Sequence, residues 1–120
     1  CRDIEGENPL YLPQAKCFAG CAGLGPCVLI QSSPPAQETR IALVIERSGA
    51  VVFEGETTLA QLKRTPAELV GFLYRDNTFQ QGTFLMTGTG IVPQDDFTLQ
   101  SQDIVKITID GIGTLANVMG

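Results

Sequence analysis

Two stretches of this chain fold back on themselves at a glycine, and they constrain its architecture more than any other feature. Ile41–Arg47 reads Ile-Ala-Leu-Val-Ile-Glu-Arg, meets Ser48-Gly49, and is followed by the apolar-rich run Ala50–Glu54. β-branched side chains suit a pleated surface, and a two-residue glycine turn between two such runs reads as a β-hairpin. Asp103–Ile109 alternates with period two, which predicts a strand with one buried face. Asp110-Gly111 then turns the chain, and Ile112–Val118 is expected to return as a final antiparallel strand. Two hairpins of this kind point to an antiparallel sheet.

The remaining segments add less regular structure. Thr65-Pro66-Ala67-Glu68 has Thr at the N-cap, Pro at the first helical position and Glu at the third. This is a capping box, and it predicts a helix running to about Asp76-Asn77 with Leu69, Phe72 and Leu73 on its buried face. Thr58–Arg64 is expected to form a second short helix. Val28–Ile30 and Thr83–Thr87 read as further strands. Residues 1–27 are expected to be irregular, because Pro9 and Pro13 oppose a helix and three glycines lie between Ala19 and Pro26. Ser32-Ser33-Pro34-Pro35 is a stop too short to link domains. The expectation is one domain over residues 1–120, mainly β with one or two short helices, an α+β arrangement.

Composition narrows the function. The formal charge is −5, from 8 basic and 13 acidic residues. No basic run exists, so neither nucleic acid nor an anionic membrane surface is an expected partner. Nothing approaches the roughly 18 apolar residues of a membrane span, and no leader pattern opens the chain. A cytoplasmic location is expected. Histidine is absent, which removes Ser-His-Asp and Cys-His machinery and His-ligated metals from this chain. Acid–base work falls to carboxylates, lysine, tyrosine or cysteine. Cys1, Cys17, Cys21 and Cys27 lack zinc-site spacing and are expected to be buried or half-buried thiols.

Two segments look built for a site. The first, Arg2–Lys16, places Arg2, Asp3, Glu5, Glu7 and Lys16 in a proline-interrupted loop. Glu5-x-Glu7 invites comparison with a hard-cation pair, although Gly6 and Pro9 disfavour the extended strand that would aim both carboxylates one way. Lys16 precedes Cys17-Phe18, where partial desolvation is expected. The second segment, Leu85-Met86-Thr87-Gly88-Thr89-Gly90, offers two hydroxyls and accessible backbone N–H groups of the kind that hold an anionic oxygen.

Taken in order, these motifs resemble the fumarylacetoacetate hydrolase superfamily. The resemblance rests on Arg2-Asp3, Lys16-x-Phe18, Gly25-Pro26, the Leu85–Gly90 loop, and Asp103-Ile104-Val105 followed by Ile109-Asp110-Gly111-Ile112-Gly113-Thr114-Leu115-Ala116-Asn117. Within the superfamily, Ile4–Lys16 looks most like the 2-keto-3-deoxy-arabinonate dehydratase branch. The resemblance implies a β-roll, trimmed on its N-terminal side, and a metal-dependent enzyme that dehydrates a 2-keto-3-deoxy sugar acid through an enolate. It implies Lys16 and Glu5 as catalytic residues, and Arg2, Thr89 and Thr87 as substrate-binding residues. Mg²⁺ is the implied cofactor. The family's metal ligands precede the position of Arg2, so Glu5-x-Glu7 is not that pair and no metal ligand is assigned in these residues. A small 2-keto acid and a second copy of the chain, as a homodimer, are the implied partners. The alternative is a naturally short, metal-free relative that binds a small molecule or hydrolyses esters weakly.

Overall fold

The structure, a computed structural model, describes residues 3–120. Its centre is a four-stranded antiparallel sheet of β1 (Arg40–Arg47), β2 (Ala50–Thr58), β3 (Ile104–Ile109) and β4 (Gly113–Val118), in the order β2-β1-β3-β4. Both predicted hairpins are present. Ser48 and Gly49 have φ of 51° and 81°, the left-handed pair that a two-residue hairpin turn needs to match the twist of its strands. The second hairpin closes through residues 110–112, with Ile112 N–H donating to the Ile109 carbonyl at 3.0 Å.

Register sorts the residues by face. Phe53, Gly55 and Thr57 of β2 lie beside Ile45, Leu43 and Ile41 of β1. These continue into Val105, Ile107 and Ile109 of β3, then Asn117, Leu115 and Gly113 of β4. That face is largely apolar and carries the core. The opposite face carries paired charges: Lys106 Nζ donates to Glu46 at 2.6 Å, and Arg40 donates to Glu56 at 2.8 and 2.6 Å.

One end of the core face is closed by a buried ion pair. Asp103 is fully buried, and its two carboxylate oxygens accept from Arg47 Nε and Nη2, each at 2.8 Å. Gln100 N–H donates to the same carboxylate at 2.8 Å, and Arg47 also reaches the Thr98 carbonyl at 2.9 Å. Phe97 lies 5.9 Å from the Phe53 ring and beneath the Arg47 guanidinium at 5.8 Å. The Arg47 hydrogen bonds, with that from Gln100, hold the Asp103 carboxyl down at about 2.

α2 (Pro66–Leu73) has the expected capping box: Glu68 N–H donates to Thr65 Oγ1 at 3.2 Å, and Thr65 N–H donates to the Glu68 carboxylate at 2.7 Å. These bonds lower the Glu68 pKa. The helix stops three residues early, and Phe72 is exposed with the Arg75 guanidinium over its ring at 4.7 Å, leaving Leu69 and Leu73 as the half-buried positions. Thr65→Ala removes the cap and is expected to destabilise the protein by about 1 kcal/mol in a denaturant titration.

Three other expectations are corrected. Val28–Ile30 and Thr83–Thr87 are not strands. Neither segment joins the ladder, and Ile30, Phe84 and Met86 are exposed. Thr58–Arg64 yields only a 3-10 turn at Leu59–Gln61, because β2 extends through Thr58. Residues before Cys17 are not irregular: 3-10 turns at Asp3–Gly6 and Pro9–Tyr11 lead into α1 (Leu12–Lys16). Both prolines sit in the first turn of their helices, where a missing N–H costs nothing. No helix among the described residues is long and apolar enough to cross a membrane.

Candidate active site

The local sequence builds the Lys16 platform in three steps. Asn8 is extended, and its side chain accepts from Leu10 N–H at 2.9 Å, starting the Pro9–Tyr11 turn. Pro13 then opens α1, which packs against both preceding turns. Ala15 is fully buried, so its neighbour Lys16 projects outward from the last turn. Lys16 Nζ meets a Glu5 carboxylate oxygen at 2.7 Å. The two predicted catalytic residues are therefore brought together from eleven positions apart. Lys16 is half exposed, at 55%, so the expected desolvation is partial.

Thr87 and Thr89 belong to a separate loop. Gly88 has φ of 84°, which a side chain would strain. Thr87 is exposed. Thr89 Oγ1 accepts from Ile91 N–H at 3.0 Å and lies 3.4 Å from the Ile91 carbonyl. Ile91 is buried, and its Cγ2 occupies the space that a Cβ on Gly55 would fill, at 2.7 Å. Gly90 sits near Thr57, where a Cβ would lie 3.6 Å from the hydroxyl. Sequence reasoning missed Gly55 and Ile91. The one available signal was a glycine inside a strand, which marks a close approach by another segment.

The loop after Lys16 is fixed to the other edge of the same face. A Cβ on Gly23 would lie 2.8 Å from Asn117 Nδ2, one on Gly25 would lie 3.2 Å from Leu115 Cδ1, and one on Gly113 would lie 3.3 Å from Pro26. Cys27 Sγ is 3.6 Å from the Ile112 carbonyl. Gly55, Leu43, Ile107 and Leu115 form one row across the sheet. Ile91 is seated at one end and Gly25 at the other, roughly 14 Å apart across four strands. The row ties the segment that follows Lys16 and the segment that carries Thr89 to opposite ends of one rigid face.

Cys1 and Arg2 lie outside the described residues. Cys17, Cys21 and Cys27 are free and exposed, contrary to the expectation of buried or half-buried thiols; Cys17 caps the end of α1, and Cys21 and Cys27 lie in the glycine-rich loop that follows, outside any helix or strand. An open polar hollow of about 660 Å³ includes Arg40, Glu56, Thr57 and Asp110 in its lining, but none of Glu5, Lys16, Thr87 or Thr89. Its arginine is already paired with Glu56, so it offers a ligand little charge. Among the described residues, no group of three or more His, Cys, Asp or Glu side chains is placed to hold a metal ion. These residues alone do not fit a divalent cation.

Comparison with known proteins identifies the lineage. Residues 1–119 match the family model described as fumarylacetoacetate (FAA) hydrolase C-terminal. The chain belongs to the fumarylacetoacetate hydrolase family. Within this family it is 44% identical over 117 residues to a protein of Haloferax volcanii named "Probable 2-keto-3-deoxyxylonate dehydratase", covering 97% of this chain and 40% of that protein. It is 46% identical over 115 residues to the 2-dehydro-3-deoxy-D-arabinonate dehydratase of Saccharolobus solfataricus, covering 95% and 39%. A hexagonal crystal form of 2-keto-3-deoxyarabinonate dehydratase superposes with a TM-score of 0.91 at 45% identity, over 99% of this chain and 41% of that one. The same dehydratase complexed with magnesium and 2,5-dioxopentanoate also gives 0.91, at 46% identity, over 98% and 42%. The chain thus spans about two fifths of the length of these relatives. The fold of this chain, mainly antiparallel sheet with two short helices, is shared with these structures over the matched span and agrees with the predicted α+β arrangement.

Proposed function

We propose that this chain supplies the lysine, arginine and threonine side of the pocket of a dehydratase acting on a 2-keto-3-deoxy sugar acid. The Glu5–Lys16 pair at 2.7 Å carries the reading. A carboxylate and an ammonium in contact can move a proton and hold a developing negative charge within one site. The similarity to dehydratases at 44% and 46% identity supports the choice of substrate class.

In this reading, Glu5 takes a proton from C3, beside the keto group. The electron pair is held as an enolate whose oxygen faces the Lys16 ammonium. The enolate collapses to a C3–C4 double bond as the C4–O bond breaks, and Glu5 returns its proton to the departing hydroxyl, releasing water. Arg2, Thr89 and Thr87 are assigned to binding the substrate's polar groups. Magnesium accompanies one neighbour; a cation here would need ligands from beyond the described residues. Polarisation of the keto oxygen is the chemistry it would supply.

The test is a dehydration assay with a 2-keto-3-deoxy pentonate, with and without Mg²⁺, alongside simple esters. Release of water is expected, first giving a 2-oxo-3-ene acid; this becomes a 2,5-dioxo acid when C5 gives up a proton, C3 takes one, and the resulting C4–C5 enol tautomerises to the aldehyde. Ester hydrolysis without dehydration would replace this reading with the hydrolase one.

A homo-oligomer and a cytoplasmic location belong to the same proposal. The chain exposes 9357 Å², against about 6,300 Å² for a compact chain of its mass. Leu10, Ile30 and Val92 are among the exposed apolar side chains, and they suit a covered surface. Light scattering that gives a monomer would remove the oligomer.

A further inference from the structure

Glycine inside a strand weakens it, so Gly55 in the middle of β2 needs a reason. Its backbone does not supply one, because Gly55 is not among the positive-φ residues. The space above it does. A Cβ there would meet Ile91 Cγ2 at 2.7 Å, closer than van der Waals contact allows, with Phe53 Cζ next at 3.5 Å. Gly55 is a notch, and Ile91 fills it. Ile91 is 7% exposed, whereas residues 80–90 before it are all exposed. This one side chain therefore pins the loop to the sheet.

The pin also sets Thr89. The Ile91 N–H donates to Thr89 Oγ1 at 3.0 Å, and the same hydroxyl faces the Ile91 carbonyl at 3.4 Å. A shift of Ile91 away from β2 moves both partners of that hydroxyl together. We infer that Gly55 is a positioning residue: its missing side chain fixes the height of Ile91, and through it the placement of Thr89 toward the substrate. The inference rests on the proposed substrate-binding role of Thr89. Gly55 itself touches no substrate.

The experiment compares Gly55→Ala, Thr89→Val, Ile91→Leu and the double variant Gly55→Ala/Ile91→Leu in the whole protein, by steady-state dehydration kinetics and by hydrogen exchange at the Ile91 amide. Leucine conserves volume but lacks Cγ2, the atom the new Cβ would strike. Gly55→Ala is expected to raise KM about tenfold with a smaller change in kcat, as a displaced binding contact should. It should also speed Ile91 exchange about tenfold as the bond to Thr89 loosens. The double variant should recover both values. A general loss of stability would not be repaired by moving one methyl group. If Thr89→Val leaves KM unchanged, the substrate role of Thr89 is lost, and Ile91 exchange still decides whether Gly55 positions the loop. If Gly55→Ala leaves Ile91 exchange unchanged, or raises KM without rescue by Ile91→Leu, the inference is overturned. Should Gly55→Ala fail to fold, Ile91→Ala empties the notch without altering β2, and the same exchange at residue 91 must rise.

Discussion

Replacing Lys16 with alanine is expected to lower kcat for dehydration by roughly 10²–10³-fold, the range typical of a lost group that stabilises a developing oxyanion. The side chain stands at the end of α1, and its partner Glu5 lies 2.7 Å away. In the proposed reaction, removing the ammonium takes away the cation that would face the enolate oxygen. Lys16→Arg should restore at most part of the activity, because a planar guanidinium spreads its charge and does not place it at one oxygen as a compact ammonium does. The melting temperature should scarcely change, since both side chains are substantially exposed and exposed pairs add little stability. Separate measurements of kcat and Tm distinguish the two effects. Activity within tenfold of the parent in Lys16→Ala would remove the lysine from the mechanism.

The second large effect concerns stability. Asp103→Ala is expected to lower Tm by roughly 10 °C, because it leaves the Arg47 guanidinium half-buried without its bidentate partner. It also strands the Gln100 N–H that Asp103 accepts. Arg47→Met with Asp103→Leu should recover part of the loss, since an apolar pair leaves no unpaired charge. The same contact gives a pH signature. The folded carboxyl titrates at about 2, below its unfolded value of about 3.9. The unfolded state therefore binds the proton first, and stability from this site is intact above about pH 4 and drains away as pH falls toward 2. Asp103→Asn should flatten that part of the stability curve in acid denaturation.

The sheet was legible where local chemistry and long-range pattern agreed. Ser48-Gly49 and the alternation of Ile104–Ile109 are local signals, and both hairpins followed from them. Val28–Ile30 and Thr83–Thr87 carry strand-like residues, but no ladder partner reaches them. Composition favours an extended backbone without saying whether another strand is within reach. Pro9 and Pro13 were misread because proline both ends helices and starts them, and its position within the turn decides which. Lys16 and Glu5 are expected as site residues through motif resemblance alone. Their direct contact depends on how two short turns pack, which spacing does not encode. Asp103 was noticed as part of a motif, while its burial against Arg47 depends on β1 pairing with β3.

That pairing has a kinetic consequence. β1 is complete as a hairpin with β2, yet its other edge must wait for Val105 to meet Ile45, sixty residues further along the chain. On a ribosome adding residues one after another, the early hairpin emerges with an open edge and an uncovered apolar face. Closing so long a loop slows assembly, because its entropy must be lost before any new contact forms. The strand that organises the finished sheet is thus the strand most exposed to wrong partners while the protein is being made.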